Sequence, residues 1–145
     1  MPNSELTSPS SRFWQRGAFL FAALVLADQM AKLFAHSVFK NSKFAFSLPL
    51  PIALIYFIYG LVLLGMIIYT VGDYKSFSET TKTAWVFIFA GAVSNIGERI
   101  ILGYVRDFIY ISFYRWTGIY NLADGYIILG ILLLLFSTRP FAKQT

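Results

Sequence analysis

The stretch YVRDFIYISFYRWTGIYNLAD, residues 104–124, separates the last two apolar runs of the chain and has an acidic residue near each end. These two residues, Asp107 and Asp124, are conspicuous because only seven Asp and Glu occur among 145 residues. Residues 105–114 partly alternate and are rich in β-branched and aromatic side chains, which predicts a strand. Residues 116–118 (Trp-Thr-Gly) predict a turn before the next apolar run. We therefore expect one carboxylate in a surface strand and the other at the start of a helix.

The composition is that of an integral membrane protein. Hydrophobic residues make up 57% of the chain and charged residues 13%, which is far from the soluble average. The net charge of +5 does not favour nucleic-acid binding, because Lys and Arg are scattered in ones and twos between apolar runs. With no Cys and one His, disulfides and cysteine nucleophiles are excluded and a zinc site is disfavoured.

Four apolar runs predict an all-α membrane protein with one integral membrane domain, residues 1–145. The expected transmembrane helices span about residues 17–39, 49–71, 83–102 and 119–138, after a polar cytoplasmic lead at 1–16. The second run has no charge over its 23 residues, and roughly 20 residues cross the hydrocarbon layer. A secretory signal peptide is an alternative for the first run, but Asp28 and Lys32 interrupt it where a small-residue cleavage site should lie.

Charge bias predicts the orientation of the four spans. The 12 Lys and Arg divide equally between the two sides of the membrane in this topology. The positive-inside rule counts flanking loop residues, whereas Lys32 and Arg99 are expected to be held within helices by polar partners. Without these two, the terminal side carries more positive charge, so both termini are predicted to be cytoplasmic.

Helix lengths place the polar residues of three helices at one depth. Measured from the basic terminal-side flank at about 1.5 Å per residue, Asp28 lies about 18 Å, Arg99 about 25 Å and Asp124 about 22 Å into the layer. This level is in the outer third of a hydrocarbon layer about 30 Å thick. Ionisable residues at such a depth normally face the bundle interior, pair with each other and mark a functional site.

A structural interpretation exists for several of these polar groups. Asp28 and Lys32 are one helical turn apart and can pair. Glu98 and Arg99 could form a second pair, and the two pairs could pin helices to each other without any catalytic role. Asn95 is expected to form a hydrogen bond between helices.

Two carboxylates suggest a chemistry if they meet in a poorly hydrated pocket. They cannot both ionise easily there, because a like charge nearby raises one of the two pKa values. Sharing one proton, such a pair can act as a base toward water and as an acid toward the leaving nitrogen. This is the chemistry of an aspartic protease, which needs no metal, and no cofactor is expected. An interfacial salt bridge is an alternative role for Asp107, since Arg106 precedes it.

At five places in order, the sequence resembles the lipoprotein signal peptidases, the signal peptidase II family. The matching segments are residues 28–32 (DQMAK), 41–46 (NSKFAF), 91–99 (GAVSNIGER), 103–108 (GYVRDF) and 121–124 (NLAD). Any one of these motifs alone is weak, but five in order are specific, and together they extend over nearly the whole chain.

The resemblance implies a four-helix membrane bundle with a small extracytoplasmic β-cradle and a short interfacial helix. It implies that Asp107 and Asp124 are the catalytic dyad. Supporting and substrate-binding roles would fall to Asp28, Lys32, Asn41, Asn95, Glu98, Arg99, Asn121 and Ala123. The substrate would be a bacterial prolipoprotein, cut before its diacylglyceryl-modified cysteine so that the signal peptide is released. The enzyme would lie in the inner membrane as a monomer in contact with lipid, with its active site near the extracytoplasmic face.

Three departures from the family pattern stand out. Lys43 and Ser94 are where Gly is usual, and Glu98 is where Asp is usual. Lys43 adds bulk and charge near the expected lipid-binding site. Glu98 keeps the negative charge one methylene further out, which a salt bridge should tolerate. Both candidate catalytic carboxylates are intact, so an active enzyme is expected.

Two functions of other classes stay open from the residues alone. One is a small four-helix transporter or channel in which Asp28, Glu98 and Asp124 form a proton or cation relay. The other is a purely structural membrane subunit. Transport does not explain why Asp107 lies outside the helices in an aromatic, strand-like segment.

Overall fold

The computed structural model describes residues 9–42, 51–73 and 76–137. Lys43, the first part of the predicted lead and the predicted basic tail lie outside these residues. Within them, four helices and four short strands follow in the order α1 (Pro9–Phe34), β1 (Phe39–Asn41), α2 (Ile52–Asp73), α3 (Glu79–Leu102), β2 (Val105–Asp107), β3 (Ile109–Phe113), β4 (Trp116–Tyr120) and α4 (Leu122–Ser137).

Helix α3 begins and ends at residues suited to those positions. Ser78 is its N-cap, and the Ser78 hydroxyl accepts the Thr81 backbone N–H at 3.1 Å. At the other end, Gly103 has a left-handed φ of 80°, and its N–H donates to the Arg99 carbonyl at 3.0 Å. The left-handed residue turns the chain out of the helix, so that β2 starts close to the end of α3.

Helix α3 is the central helix and packs against both α1 and α4. Its contact with α4 depends on two glycines. A Cβ atom at Gly91 would overlap the carbonyl oxygen of Ala123 at the start of α4, and a Cβ atom at Gly130 would lie 2.5 Å from the Ile88 side chain. Small residues let membrane helices approach closely. The start of α4 is therefore held directly against the backbone of α3.

Two antiparallel strand pairs lie at the end of the bundle where α1 and α3 finish and α4 begins. Strand β1 pairs with β2, so that Phe39 is opposite Asp107 and Asn41 is opposite Val105. This pairing ties the segment after α1 to the segment after α3. Asn41 and Asp107 are diagonal neighbours on the same face of this strand pair, and the Asn41 side chain reaches Asp107 at the end of β2.

The second pair is a hairpin of β3 and β4, with Ile109 opposite Tyr120. The strand predicted in residues 105–114 is confirmed as β2 and β3. The turn predicted at residues 116–118 is wrong, because these residues pair with β3 as part of β4. The chain reverses instead at Tyr114 and the residue after it, and Tyr114 has a left-handed φ of 54°.

The helix limits differ from the expected ones where strands form. Helix α1 starts at Pro9 and ends at Phe34, whereas residues 17–39 were expected. Residues 35–38 form a bend after the helix, and Phe39 already belongs to β1. Helix α4 begins at Leu122 rather than at residue 119, since the residues before it belong to β4.

In the described part of the chain, many large apolar side chains are exposed and several charged side chains are buried. In the described residues, two helices are long and apolar enough to cross a membrane by length and composition: α1, over Gln15–Phe34, and α3 (Glu79–Leu102). Helix α4 is a shorter apolar helix. Large apolar side chains face outward, whereas the charged side chains of Asp28 and Lys32 are fully buried. This distribution fits a helix bundle surrounded by lipid.

Candidate active site

Asp107 and Asp124, the two residues predicted to form a pair, share one partner, Asn121. Asp107 is the last residue of β2, and Asp124 lies in the first turn of α4. The Asn121 side-chain nitrogen Nδ2 donates to Asp107 Oδ1 at 2.7 Å, and the Asn121 backbone N–H donates to Asp124 Oδ2 at 3.2 Å. The fold therefore brings a strand carboxylate and a helix carboxylate to one residue.

The local sequence explains the position of Asp124. Asn121 Oδ1 accepts the Asp124 backbone N–H at 2.9 Å, while the Asp124 carboxylate accepts the Asn121 N–H. This reciprocal arrangement is a capping box, in which two residues three apart satisfy each other's N–H groups at a helix start. The segment Asn-Leu-Ala-Asp thus both starts α4 and sets the direction of the Asp124 carboxylate.

Asp107 is almost completely buried, with 2% of its surface exposed. Its second oxygen, Oδ2, accepts the Asn41 side-chain amide at 2.9 Å. Burial raises the pKa of Asp107 above its ordinary value, while the two amide donors and the positive charges of Lys32 and Arg99 oppose the rise. Asp107 therefore holds a proton more readily than an Asp in water does.

The salt-bridge alternative for Asp107 does not fit this geometry. Within the described ranges its hydrogen-bond partners are the amides of Asn41 and Asn121. The Arg106 side chain instead donates to Glu98 at 2.5 Å. Neighbouring residues of a strand point to opposite faces, so Arg106 and Asp107 are directed away from each other.

Asn95 of α3 binds the second candidate carboxylate, Asp124. Its Nδ2 donates to Asp124 Oδ1 at 2.8 Å, and its Oδ1 accepts Lys32 Nζ at 3.0 Å. Because both ends of the amide are bonded, its orientation is fixed by its partners. The prediction that Asn95 forms a hydrogen bond between helices is confirmed. The charges of Asp107 and Asp124 are also near enough to interact.

Asp28 and Lys32 form the predicted ion pair, with 2.7 Å between Lys32 Nζ and Asp28 Oδ2 and both side chains fully buried. The other oxygen of Asp28 accepts the backbone N–H of Ala123 at 3.0 Å. Asp28 thus bonds to the residue directly before Asp124. These contacts join α1, α3 and α4 at one level of the bundle, as the helix lengths predict; the depth of that level in the membrane stays a prediction.

Glu98 has partners that the sequence did not indicate. The sequence predicts a pair with its neighbour Arg99, whereas the structure pairs Glu98 with Lys32 at 3.0 Å and with Arg106. Adjacent residues of a helix do not face each other, which favours partners on other elements. The charge of Arg99 acts on Asp107 instead.

All ten predicted site residues therefore lie in or next to one polar cluster at this end of the bundle. Three further members were not predicted: Gln29, Ser94 and Arg106. The signal that could have found Gln29 and Ser94 is their position in apolar helices, each beside a predicted site residue. In the described residues, no group of three or more His, Cys, Asp or Glu is arranged to hold a metal ion.

Comparisons with known proteins extend over most of the chain. The family model for signal peptidase (SPase) II matches residues 20–139. The lipoprotein signal peptidase of Chlamydia pneumoniae is 33% identical over 144 residues, covering 97% of this chain and 77% of that protein. The lipoprotein signal peptidase of Chromobacterium violaceum is 26% identical over 157 aligned positions, covering 89% of this chain and 94% of that protein.

Two solved structures of bacterial membrane enzymes, at 2.3 Å and 1.9 Å resolution, have the same fold. Their TM-scores are 0.73 and 0.71 at 20% and 21% identity. Each match covers 90% of this chain, and 93% and 95% of the respective structures. Because the family model and the Chlamydia pneumoniae relative both match far more than half of the chain, this protein belongs to the signal peptidase II family of peptidases.

Proposed function

We propose that the protein is an intramembrane aspartic endopeptidase that removes the signal peptide from diacylglyceryl-modified bacterial prolipoproteins, cutting before the lipidated cysteine. The observation that carries the proposal is the shared bonding of Asp107 and Asp124 to Asn121, because it brings two carboxylates to one place. The substrate class comes from the family, whose relatives are lipoprotein signal peptidases.

The two carboxylates divide the proton transfers. The pair shares one proton because two neighbouring carboxylates cannot both ionise easily, and in the proposed cycle Asp107 carries that proton at the start. Ionised Asp124 takes a proton from a water as that water forms a bond to the scissile carbonyl carbon, and Asp107 donates its proton to the carbonyl oxygen. The tetrahedral intermediate then collapses. Asp107 takes back the proton of one hydroxyl group as the carbonyl re-forms, the C–N bond breaks, and the leaving nitrogen receives the proton from Asp124, so that both carboxyls return to their starting states.

The surrounding amides hold this pair in place throughout the cycle. Asn41 and Asn121 donate to Asp107, while Asn95 donates to Asp124. Preorganised donors of this kind do not need to reorient as charge moves, which is the main source of electrostatic catalysis. We assign these three asparagines to positioning of the dyad.

The proposed membrane arrangement has a single domain with four transmembrane helices, α1 to α4, and a β-cradle formed by β1 to β4. Both termini are cytoplasmic, and the dyad lies near the extracytoplasmic face of the inner membrane. Support comes from the position of the strands and of the polar cluster at the same end of the bundle. The enzyme works as a monomer in contact with membrane lipid.

The test is cleavage of a diacylglyceryl-cysteine precursor by purified protein in reconstituted membranes. Asp107→Asn and Asp124→Asn are each expected to lower the rate by at least ~10²-fold, because each removes one half of the acid–base pair. Glu79→Gln is the matched control, since Glu79 is 71% exposed at the opposite end of α3. Normal cleavage by either Asp variant would show that the dyad assignment is wrong.

A further inference from the structure

A closed ring of side-chain contacts joins α1, α3 and β2 beside the two candidate carboxylates. Its six members, in order around the ring, are Asp28, Lys32, Glu98, Arg106, Gln29 and Ser94. Lys32 Nζ lies 2.7 Å from Asp28 Oδ2 and 3.0 Å from Glu98 Oε2. Arg106 Nε donates to the other oxygen of Glu98 at 2.5 Å.

Two neutral residues close the ring. Arg106 Nη2 donates to Gln29 Oε1 at 3.0 Å, and Gln29 Nε2 donates to Ser94 Oγ at 2.8 Å. The Ser94 hydroxyl then donates to Asp28 Oδ2 at 2.6 Å. Without Gln29 and Ser94, Arg106 and Asp28 would be linked only through Glu98 and Lys32.

The ring is balanced in charge. Two carboxylates, Asp28 and Glu98, face two cations, Lys32 and Arg106, and every contact between them runs from a donor to an acceptor. A buried polar network stabilises one arrangement only when its members are satisfied. Closing the ring with an amide and a hydroxyl therefore gives a single defined geometry rather than a set of mobile ion pairs.

Contacts lead from the ring to both candidate carboxylates. Asp28 Oδ1 accepts the Ala123 N–H at 3.0 Å, one residue before Asp124. Lys32 Nζ holds Asn95, which donates to Asp124. On the other side, Glu98 Oε2 accepts the Arg106 backbone N–H at 3.0 Å, one residue before Asp107.

We infer that Gln29, Ser94 and Arg106 are positioning residues, and that by closing this ring they hold the segments carrying Asp107 and Asp124 at a fixed separation. The inference rests on the proposed function, because it assigns these residues to the same reaction. It also gives a role to a departure from the family pattern. The hydroxyl of Ser94 is the group that joins Gln29 to Asp28.

The space around Ser94 allows a sharp substitution test. A cavity of about 360 Å³ between α1 and α3 is lined by Gln29, Ser94 and Arg106, together with apolar side chains such as Val25 and Ile101. A methyl group added at Ser94 can occupy this cavity. Ser94→Thr therefore keeps the hydroxyl, whereas Ser94→Ala removes it at nearly the same volume.

The experiment measures kcat and KM for the precursor together with amide hydrogen exchange of residues 121–124. Ser94→Ala is expected to lower kcat by about 10- to 100-fold with KM unchanged, because misplacement of the reacting groups affects the chemical step. Exchange of the Ala123 N–H is expected to become faster, since Asp28 loses a partner. Ser94→Thr is expected to stay within about twofold of the wild type in both measurements.

Gln29→Met breaks the ring at a second, half-buried position and provides the same test if Ser94→Ala does not fold. It is expected to reproduce the fall in kcat and the faster exchange. Glu79→Gln, in the exposed pair with Lys82, is the control for both variants.

Three results would overturn the inference: unchanged kcat and exchange in Ser94→Ala, equal loss in Ser94→Ala and Ser94→Thr, or a fall in kcat without any change in exchange. The readouts also separate the two proposals. If the wild type cleaves no precursor, the proposed function fails, while the exchange measurement still decides whether the ring holds the start of α4.

Discussion

Asn121 connects the local structure of the chain to its chemistry. Its side chain accepts the Asp124 N–H and donates to Asp107, so one amide serves both as a helix cap and as a link between the carboxylates. A helix cap alone is satisfied by Ser, Thr or Asp as well as Asn. The donation to Asp107 requires the amide nitrogen, which explains why Asn is suited to this position.

This double role gives a prediction for two variants of one residue. Asn121→Ser keeps a capping oxygen but lacks the amide nitrogen that donates to Asp107, so cleavage is expected to fall by about 10- to 100-fold. Asn121→Ala loses both functions and is expected to lower stability by about 1 kcal/mol in addition. Thermal unfolding and cleavage of the purified variants check this. Equal stability of the two variants would contradict the capping role.

Asn41 allows a test of the proton on Asp107. Its amide donates to the ionised carboxylate and opposes the rise of the Asp107 pKa that burial causes. Asn41→Ala removes this donor, so the pKa of Asp107 should rise further and the proton should be retained to higher pH. The charged groups that also face Asp107 are Lys32, Arg99 and Asp124, and all three are unchanged in the variant.

The expected result is a shift of the alkaline limb of kcat/KM to higher pH, with a fall in the maximal rate of about three- to tenfold. The measurement is a pH profile of precursor cleavage by wild type and variant under the same lipid conditions. A shift of the alkaline limb to lower pH would show that Asp107 is not the carboxyl that carries the proton.

At the scale of elements, the close contact of α3 with the start of α4 fixes the position of Asp124 along the bundle axis. A Cβ atom at Gly91 would overlap the Ala123 carbonyl, and the Ala123 N–H is bonded to Asp28. Displacing Ala123 therefore strains a buried hydrogen bond and moves the capping box. The helices α1, α3 and α4 thus act together on one short segment.

This contact predicts opposite effects for two glycines of the same helix. Gly91→Ala is expected to lower stability by about 1–3 kcal/mol through overpacking and to lower cleavage strongly. Gly97→Ala meets no atom within 4 Å and is expected to stabilise the protein by about 0.5–1 kcal/mol, because Ala is the better helix former. Thermal unfolding in detergent measures both. The contact would be refuted if Gly91→Ala were as stable as Gly97→Ala.

For the whole molecule, the chain offers a direct test of orientation because it contains no Cys. Single cysteines can therefore be introduced without removing native ones. Arg115→Cys lies in the exposed turn between β3 and β4, and Glu79→Cys lies at the opposite end of α3. If the strands face the extracytoplasmic side, a membrane-impermeant maleimide should label the first in intact spheroplasts and the second only after lysis.

Labelling of both cysteines before lysis, or of Glu79→Cys alone, would contradict the proposed topology. The readout does not depend on enzymatic activity, so it tests the membrane arrangement separately from the dyad. Retained cleavage by both variants would show that the labelled molecules are correctly folded.

Much of this architecture was open to prediction from physical arguments. Apolar runs identify the helices because a membrane span has a minimum length, and the helical rise predicts that the polar residues of three helices lie at one level of the bundle. The strand in residues 105–114 was recognisable from its β-branched and aromatic residues. The hairpin of β3 and β4 could not be recognised in this way, because strand pairing depends on contacts between residues that are distant in sequence. The Trp-Thr-Gly segment, expected to be a turn, is part of strand β4.

The amino-acid sequence by itself determined the membrane character of this protein, the family to which it belongs and the two acidic residues most suited to chemistry. These depend on composition, spacing and helix length, which are local properties. Only the tertiary structure decided the partners: Glu98 with Lys32 and Arg106, Asn121 between two carboxylates, and the ring closed by Gln29 and Ser94. Buried polar groups are satisfied by whichever residues the packing brings near, and spacing along the chain does not specify those contacts.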